Sequence, residues 1–172
     1  MFTKSLTLVA VCAGLLAING PAHAQTDIKA AVLKHLTVSR DFTLKVADQM
    51  PEADYGFKLT PPQMSFGEQI VHLASEQAGF LAPFTNTQPK PSKPASMNKR
   101  DVMAFVRQSF DQSIAAVSAL TPAQIEKSYP GFGGPRTGLD LLMSLLDHTT
   151  HHRASAEMYL RAKGITPAEY QF

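Results

Sequence analysis

The sequence predicts an all-α protein, a four-helix bundle with a long crossover between the second and third helices. Four long segments repeat apolar residues at the alternating three- and four-residue spacing of helices that bury one face. A proline-rich stretch separates the second segment from the third, and no segment shows the two-residue alternation of a half-buried strand. Helices packed on helices, with no sheet, are therefore expected.

The first 24 residues predict a secretory signal peptide. Lys4 precedes an apolar run over residues 6–18, and Ala22-His23-Ala24 has the small-residue pattern of a cleavage site. The run is shorter than a stable membrane-spanning helix. We expect residues 1–24 to be removed, residues 25–172 to form one domain, and the protein to be exported to the periplasm without a stable membrane anchor. A retained N-terminal anchor is the alternative.

Composition limits the class of protein further. Cys12, the one cysteine, lies in the predicted signal peptide, so the mature chain has no disulfide and depends on its apolar core. About 150 residues bury roughly 70% of their unfolded surface, which suffices for one stable domain. The full chain carries 16 basic and 14 acidic residues, a net charge of +2. Without a basic run or patch, nucleic acid is not expected as a partner.

The first half of the chain predicts two helices. The first covers residues 27–50 and stops at Pro51, which cannot continue a helix. A connector over residues 52–62 follows. The second helix begins at a capping box, in which Ser65 accepts from the first free amides and Glu68 reaches back. The second helix therefore has a defined start, and we expect its apolar face to turn inward.

The second half predicts two more helices. Residues 85–98 contain three prolines and predict an extended crossover. A third helix follows Asn98, and Thr121 with Pro122 opens a short extra turn. The glycine-rich residues 129–136 lack the Lys-Ser/Thr ending of a phosphate loop, so they predict a turn at one end of the bundle.

The fourth helix has the clearest ends of the four. It is capped by Thr137 with Asp140 three residues on, and it runs to about Lys163. Gly164 ends it, and Pro167 follows at the distance typical of a residue beyond a helix end.

The candidate site consists of histidines at helical spacing. His148 and His152 lie four residues apart on the apolar stripe of helix four, and His72 lies on the inner face of helix two. Imidazole is a preferred ligand of zinc and similar ions, and three such ligands leave a position open. Spacing also allows His151 to pair with His148. Glu76 is a fourth ligand, a general base or a partner for an imidazole N–H, unless it is a surface carboxylate.

Helix four also carries a family resemblance. Asp147-His148-Thr149-Thr150-His151-His152-Arg153, followed by the Tyr-Leu-Arg and Gly-Ile-Thr-Pro of residues 159–167, resembles the DinB/YfiT-like superfamily of metal-binding four-helix bundles. The resemblance covers residues 27–170. It implies that His72, His148 and His152 bind one divalent ion (Zn, Ni, Mn or Fe) and that His151 does not.

The chain departs from this family in two ways. It reads Arg153-Ala154-Ser155 where the family often has Arg-Gly-Gln, and its export signal is unusual for the family. The missing glutamine concerns the groups around the ligands rather than the ligands themselves.

The resemblance implies an enzyme, a metal-dependent hydrolase or thiol-dependent transferase acting on an unknown small molecule, with Glu76 or His151 moving protons. Hydrolysis is favoured slightly, because exported proteins do not share the thiol pool of the cytoplasm. The first alternative is a non-catalytic metal-binding or stress-associated exported bundle. The second is a bundle that forms a homodimer through an apolar face and makes no use of its histidines. One exposed histidine, His35, is expected on helix one.

Overall fold

A computed structural model of the chain describes residues 20–85, 93–131 and 133–171, with side chains from Ile28 onward. The α-helices within these residues are α1 (Gly20–Gln49), α2 (Phe66–Ser75), α3 (Gln77–Thr85), α4 (Lys99–Ser118), α5 (Pro122–Glu126) and α6 (Gly138–Ala162). A short 3₁₀-helix, Glu52–Asp54, lies in the connector between α1 and α2. Most of the predicted signal peptide, and residues 86–92 of the predicted crossover, lie outside the described residues. The all-α prediction is confirmed.

Four long units form the bundle: α1, the consecutive helices α2 and α3, α4, and α6. Both α1 and α2 pack against α4 and α6, and they touch each other only slightly. Consecutive helices α1 and α2 therefore lie at opposite corners of the bundle. No helix in the described part of the chain has the length and apolarity needed to cross a membrane. The largest fully buried side chains of the shared core are Tyr159, Phe42, Phe66 and Phe110.

The predicted helix ends are confirmed where caps were expected. Ser65 Oγ accepts from the Glu68 amide while the Glu68 carboxylate accepts from the Ser65 amide, and Thr137 forms the same reciprocal pair with Asp140. These caps satisfy amides that have no partner within their own helix. Gly164, at a φ of 76°, follows the end of α6. A left-handed backbone of this kind favours glycine, which explains where α6 stops.

Two predicted boundaries were wrong. The first helix begins at Gly20, seven residues before the expected start at residue 27. Helix two is interrupted at Glu76, so that α2 and α3 are separate. The Gly79 amide donates to the Glu76 carbonyl at 2.9 Å, a three-residue turn tighter than an α-helix. Gly79 and Pro83 are both weak helix formers, and Pro83 lacks the amide that would hold the turn before it.

The expectation that no sheet is present was also wrong in detail. Strands β1 (Ser128–Tyr129) and β2 (Arg136–Thr137) pair antiparallel at the two ends of the glycine-rich loop. Each strand has two residues, too few to show an alternation in sequence. The ribbon closes the loop immediately before α6 and leaves the bundle architecture unchanged.

Candidate metal centre

The three predicted ligands meet where α2 packs against α6. One ring nitrogen from each of His72, His148 and His152 lies within 4.8 Å of the others. No other set of three His, Cys, Asp or Glu side chains converges in this way in the described part of the chain. The Nε2 atoms of His72 and His148 are 3.3 Å apart. Two nitrogens bound tetrahedrally at about 2.1 Å to one ion lie about 3.4 Å apart. This three-histidine centre therefore fits a single metal ion.

The centre lies at the edge of the core rather than inside it. All three imidazoles are half-buried, and the side chain of His72 is 30% exposed. Two of the ligands are one turn apart on α6, as their four-residue spacing predicted. The centre is therefore partly exposed to solvent.

Gln69 holds one of the imidazoles in place. Its Oε1 atom lies 2.7 Å from Nδ1 of His152, so the ring donates its Nδ1 proton to the amide oxygen. The lone pair of His152 then remains on Nε2, available for a metal. Gln69 lies three residues before His72 and so on the same side of α2, but this spacing gives no sign that it contacts His152.

His148 is held differently. Its Nδ1 atom is buried without a hydrogen-bond partner among the described residues. The ring of Phe80, from α3, packs against it with centroids 5.4 Å apart. At Nδ1, packing against an aromatic ring rather than a hydrogen bond therefore orients this imidazole. The role of Phe80 was not predicted, because it depends on the interruption at Glu76.

The environment favours the neutral form of the ligands. Burial lowers the pKa of His148, and the neighbouring His72 lowers it further. Burial, followed by the charges of His148 and His72, lowers the pKa of His152 to about 4. A metal binds only the neutral imidazole. Near neutral pH, both α6 imidazoles therefore carry the lone pair that a metal needs.

The two predicted proton-transfer residues lie beside the centre. His151 is exposed, and its ring is perpendicular to that of His152 at 4.8 Å between centroids. Glu76 is 51% exposed, with Oε1 4.0 Å from Nδ1 of His72, beyond hydrogen-bonding distance. Neither belongs to the three-histidine centre. His35 is exposed on α1, as expected, and lies in a different part of the bundle.

Sequence comparison gives one family. A sequence model described as the DinB superfamily matches residues 35–156, a span that includes all three histidines. No curated protein matches the chain.

Solved structures share the fold. A DinB-like protein from Bacillus cereus ATCC 10987 superposes with a TM-score of 0.72 at 19% identity, covering 83% of this chain and 97% of its own. A DinB-like protein from Bacillus subtilis gives a TM-score of 0.66 at 22% identity, covering 81% and 96%. At these identities the likeness concerns the fold alone.

Proposed function

The chain belongs to the DinB superfamily, whose sequence model matches more than half of it, and on that basis we propose a divalent-metal-dependent hydrolase. The observation that carries the proposal is the convergence of His72, His148 and His152 at an open edge of the core. A site that serves only structure is usually closed by four protein ligands. Three ligands and partial exposure favour a site that admits a substrate.

The donor set suits several ions. Imidazole binds Zn, Ni, Mn and Fe, and all three ligands are of this kind. We propose one such ion per chain. When bound, it supplies a Lewis acid that polarises a substrate and lowers the pKa of water.

The remaining chemistry falls to side chains at the rim. Glu76 follows the end of α2 near His72, where its carboxylate can accept a proton. His151 is exposed beside His152, where its imidazole can donate a proton to a leaving group. We propose Glu76 as the general base and His151 as the general acid for a small-molecule substrate.

Hydrolysis is favoured over thiol-dependent transfer for a reason of location. The charged start, short apolar run and Ala22-His23-Ala24 support export to the periplasm. That compartment is oxidising, so a low-molecular-weight thiol is a poor co-substrate there. Water is available in any compartment.

Metal content is the first test. Protein purified without a metal-affinity step and analysed by mass spectrometry for elements should contain close to one equivalent of a divalent metal. His72→Ala, His148→Ala and His152→Ala should each lose it. His151→Ala and His35→Ala, matched exchanges of exposed histidines, should keep it. Retention by His152→Ala together with loss by His151→Ala would refute the ligand assignment.

Turnover is the second test. Metal-loaded protein should hydrolyse nitrophenyl esters or phosphates, and chelator-treated protein should not. Glu76→Gln should lower kcat by about 10²–10⁴ while leaving metal content unchanged. Glu52→Gln, the same exchange at an exposed glutamate on the connector, should have no effect. Full metal occupancy with no turnover on any substrate would support the non-catalytic metal-binding protein instead.

A further inference from the structure

A cavity lies between α1 and α6, and none of the three histidines of the metal centre lines it. Helix α6 presents His148 and His152 to α2, and on another side it faces α1 across this cavity. The volume is about 420 Å³, within the range of small-molecule sites. The wall is mainly apolar, formed by Val32, Val38, Phe42, Leu139, Met143 and Leu146.

One charged side chain is buried in this wall. Arg153 is only 4% exposed and lines the cavity. Its Nη1 donates to Ser39 Oγ at 2.6 Å, and its guanidinium lies 4.8 Å from the centre of the Phe42 ring. No carboxylate of the described residues forms an ion pair with it. Burial lowers the pKa of Arg153, and the charge of Glu157 raises it to a smaller extent.

A buried cation with no ion-pair partner among the described residues is costly to keep. The hydroxyls of Ser39 and Thr150, which accept from Nη1 and Nη2, and the ring of Phe42 offset part of the lost hydration, but none of them carries a negative charge. A guanidinium has five N–H donors, and its planar shape matches a carboxylate through two parallel hydrogen bonds. The chemistry that completes this site is therefore an anion, and the apolar wall requires that the anion carry an apolar body.

We propose that the cavity between α1 and α6 binds a small amphipathic carboxylate, its head group on Arg153 and its apolar body along the cavity wall. All described lining residues lie after the predicted cleavage site, so the mature protein retains the cavity. Exposed residues His35 and Thr150 also line it and mark its solvent side. This site is independent of the metal centre and of the proposed hydrolysis.

Head-group selectivity tests the proposal on the unaltered protein. Chelator-treated protein, in which no metal competes for the carboxylate, is titrated calorimetrically with decanoate, decan-1-ol and decylammonium. Decanoate should bind at one per chain, the alcohol at least about tenfold more weakly, and the amine not at all. Absence of decanoate binding, or equal binding of the alcohol, would overturn the proposal.

Variants then locate the site. Arg153→Met, similar in size and uncharged, should weaken decanoate binding at least about tenfold. Ala31→Trp, at an exposed position of the cavity wall, should block binding without disturbing the core. Ala30→Trp, an exposed neighbour outside the cavity wall, is the matched control and should bind normally. If Arg153→Met does not fold, the tryptophan pair decides, and equal binding by both tryptophan variants would refute the location.

Discussion

Nδ1 of His152 lies 2.7 Å from Oε1 of Gln69, a contact that joins α6 to α2. Helix α2, which contributes His72, therefore also orients His152 on the neighbouring helix α6. Because the Nδ1 proton is used in this contact, the Nε2 lone pair of His152 is directed to the same region as the other two imidazoles. Geometry at the three-histidine centre thus depends on how α2 and α6 pack.

Removal of the Gln69 side chain should weaken metal binding. We expect Gln69→Leu to lower zinc affinity about 10–100-fold, because His152 loses the partner that fixes its tautomer and ring orientation. Gln69→Glu keeps an acceptor at this position and should restore tight binding. Gln108→Leu, on the exposed face of α4, should bind zinc like the parent protein. Competition titration with a zinc indicator measures all four proteins, and unchanged affinity in Gln69→Leu would exclude an orienting role.

Helical periodicity indicated the three-histidine centre, because residues four apart lie on one face of a helix, but the exclusion of His151 came from the resemblance to the DinB/YfiT-like superfamily. His148 and His152 follow from that rule, and His72 follows from the apolar face of helix two. The partners Gln69 and Phe80 could not be predicted in the same way. Their contacts depend on the distance between helices and on the interruption after Ser75, which no short-range pattern specifies.

Arg153 illustrates a different limit of sequence analysis. A charged residue beside two histidines in helix four has no apolar character, yet it is 4% exposed. Its burial results from the position of α1, which brings Ser39 and Phe42 against the guanidinium. The ends of the helices were better predicted because caps such as Ser65 with Glu68 are local.

Gly138 should tolerate no side chain, because α5 packs against the start of α6. A Cβ atom there would lie 2.4 Å from the Gln124 carbonyl oxygen and 2.8 Å from the Ile125 backbone. Gly138→Ala should therefore lower the free energy of unfolding by about 1–3 kcal/mol. Gly79→Ala is the control, because a Cβ atom at Gly79 would lie 3.8 Å from the Glu76 side chain, its nearest neighbour. This variant should raise the free energy of unfolding by about 0.5–1 kcal/mol. Urea denaturation separates the two, and equal stabilities would contradict the packing of α5.

Acidification should weaken the starts of α2 and α6. Hydrogen bonds from Ser65 lower the pKa of Glu68, and hydrogen bonds from Thr137 lower that of Asp140. The pKa of each carboxylate is therefore lower in the folded state than in the unfolded state, where it is 4.5 for Glu68 and 3.8 for Asp140. The stability that each carboxylate contributes is complete above its unfolded-state pKa and is lost as pH falls through its folded-state pKa. Urea midpoints measured between about pH 6 and about pH 3 should fall less steeply for Glu68→Gln/Asp140→Asn than for the parent protein. If the urea midpoints of the two proteins fell equally with pH, the capping carboxylates would not contribute to the pH dependence of stability.

The N-terminus of the mature chain should lie at or near Gln25. A small residue is required before the cleavage point, and Ala24 supplies it. Expression of the full gene in a bacterium, followed by intact-mass measurement of the periplasmic fraction, should give a chain lacking residues 1–24. Ala24→Leu should slow cleavage and accumulate precursor. Recovery of an intact chain from Met1 in the cytosol would contradict export.

Metal removal should lower the melting temperature without unfolding the protein. The bundle has its own apolar core, built on residues such as Phe42, Phe66 and Phe110, so its helices do not depend on the ion as those of a zinc finger do. Free metal at about 100 times its Kd stabilises the folded state by about 2.7 kcal/mol, which corresponds to about 5–10 °C for a chain of this size. Calorimetry with and without chelator measures the shift, and the far-UV circular dichroism of the metal-free protein should stay helical. His152→Ala should melt at the same temperature in both conditions. Loss of helical signal on chelation would mean that the three-histidine centre is required for folding, contrary to the independent core described above.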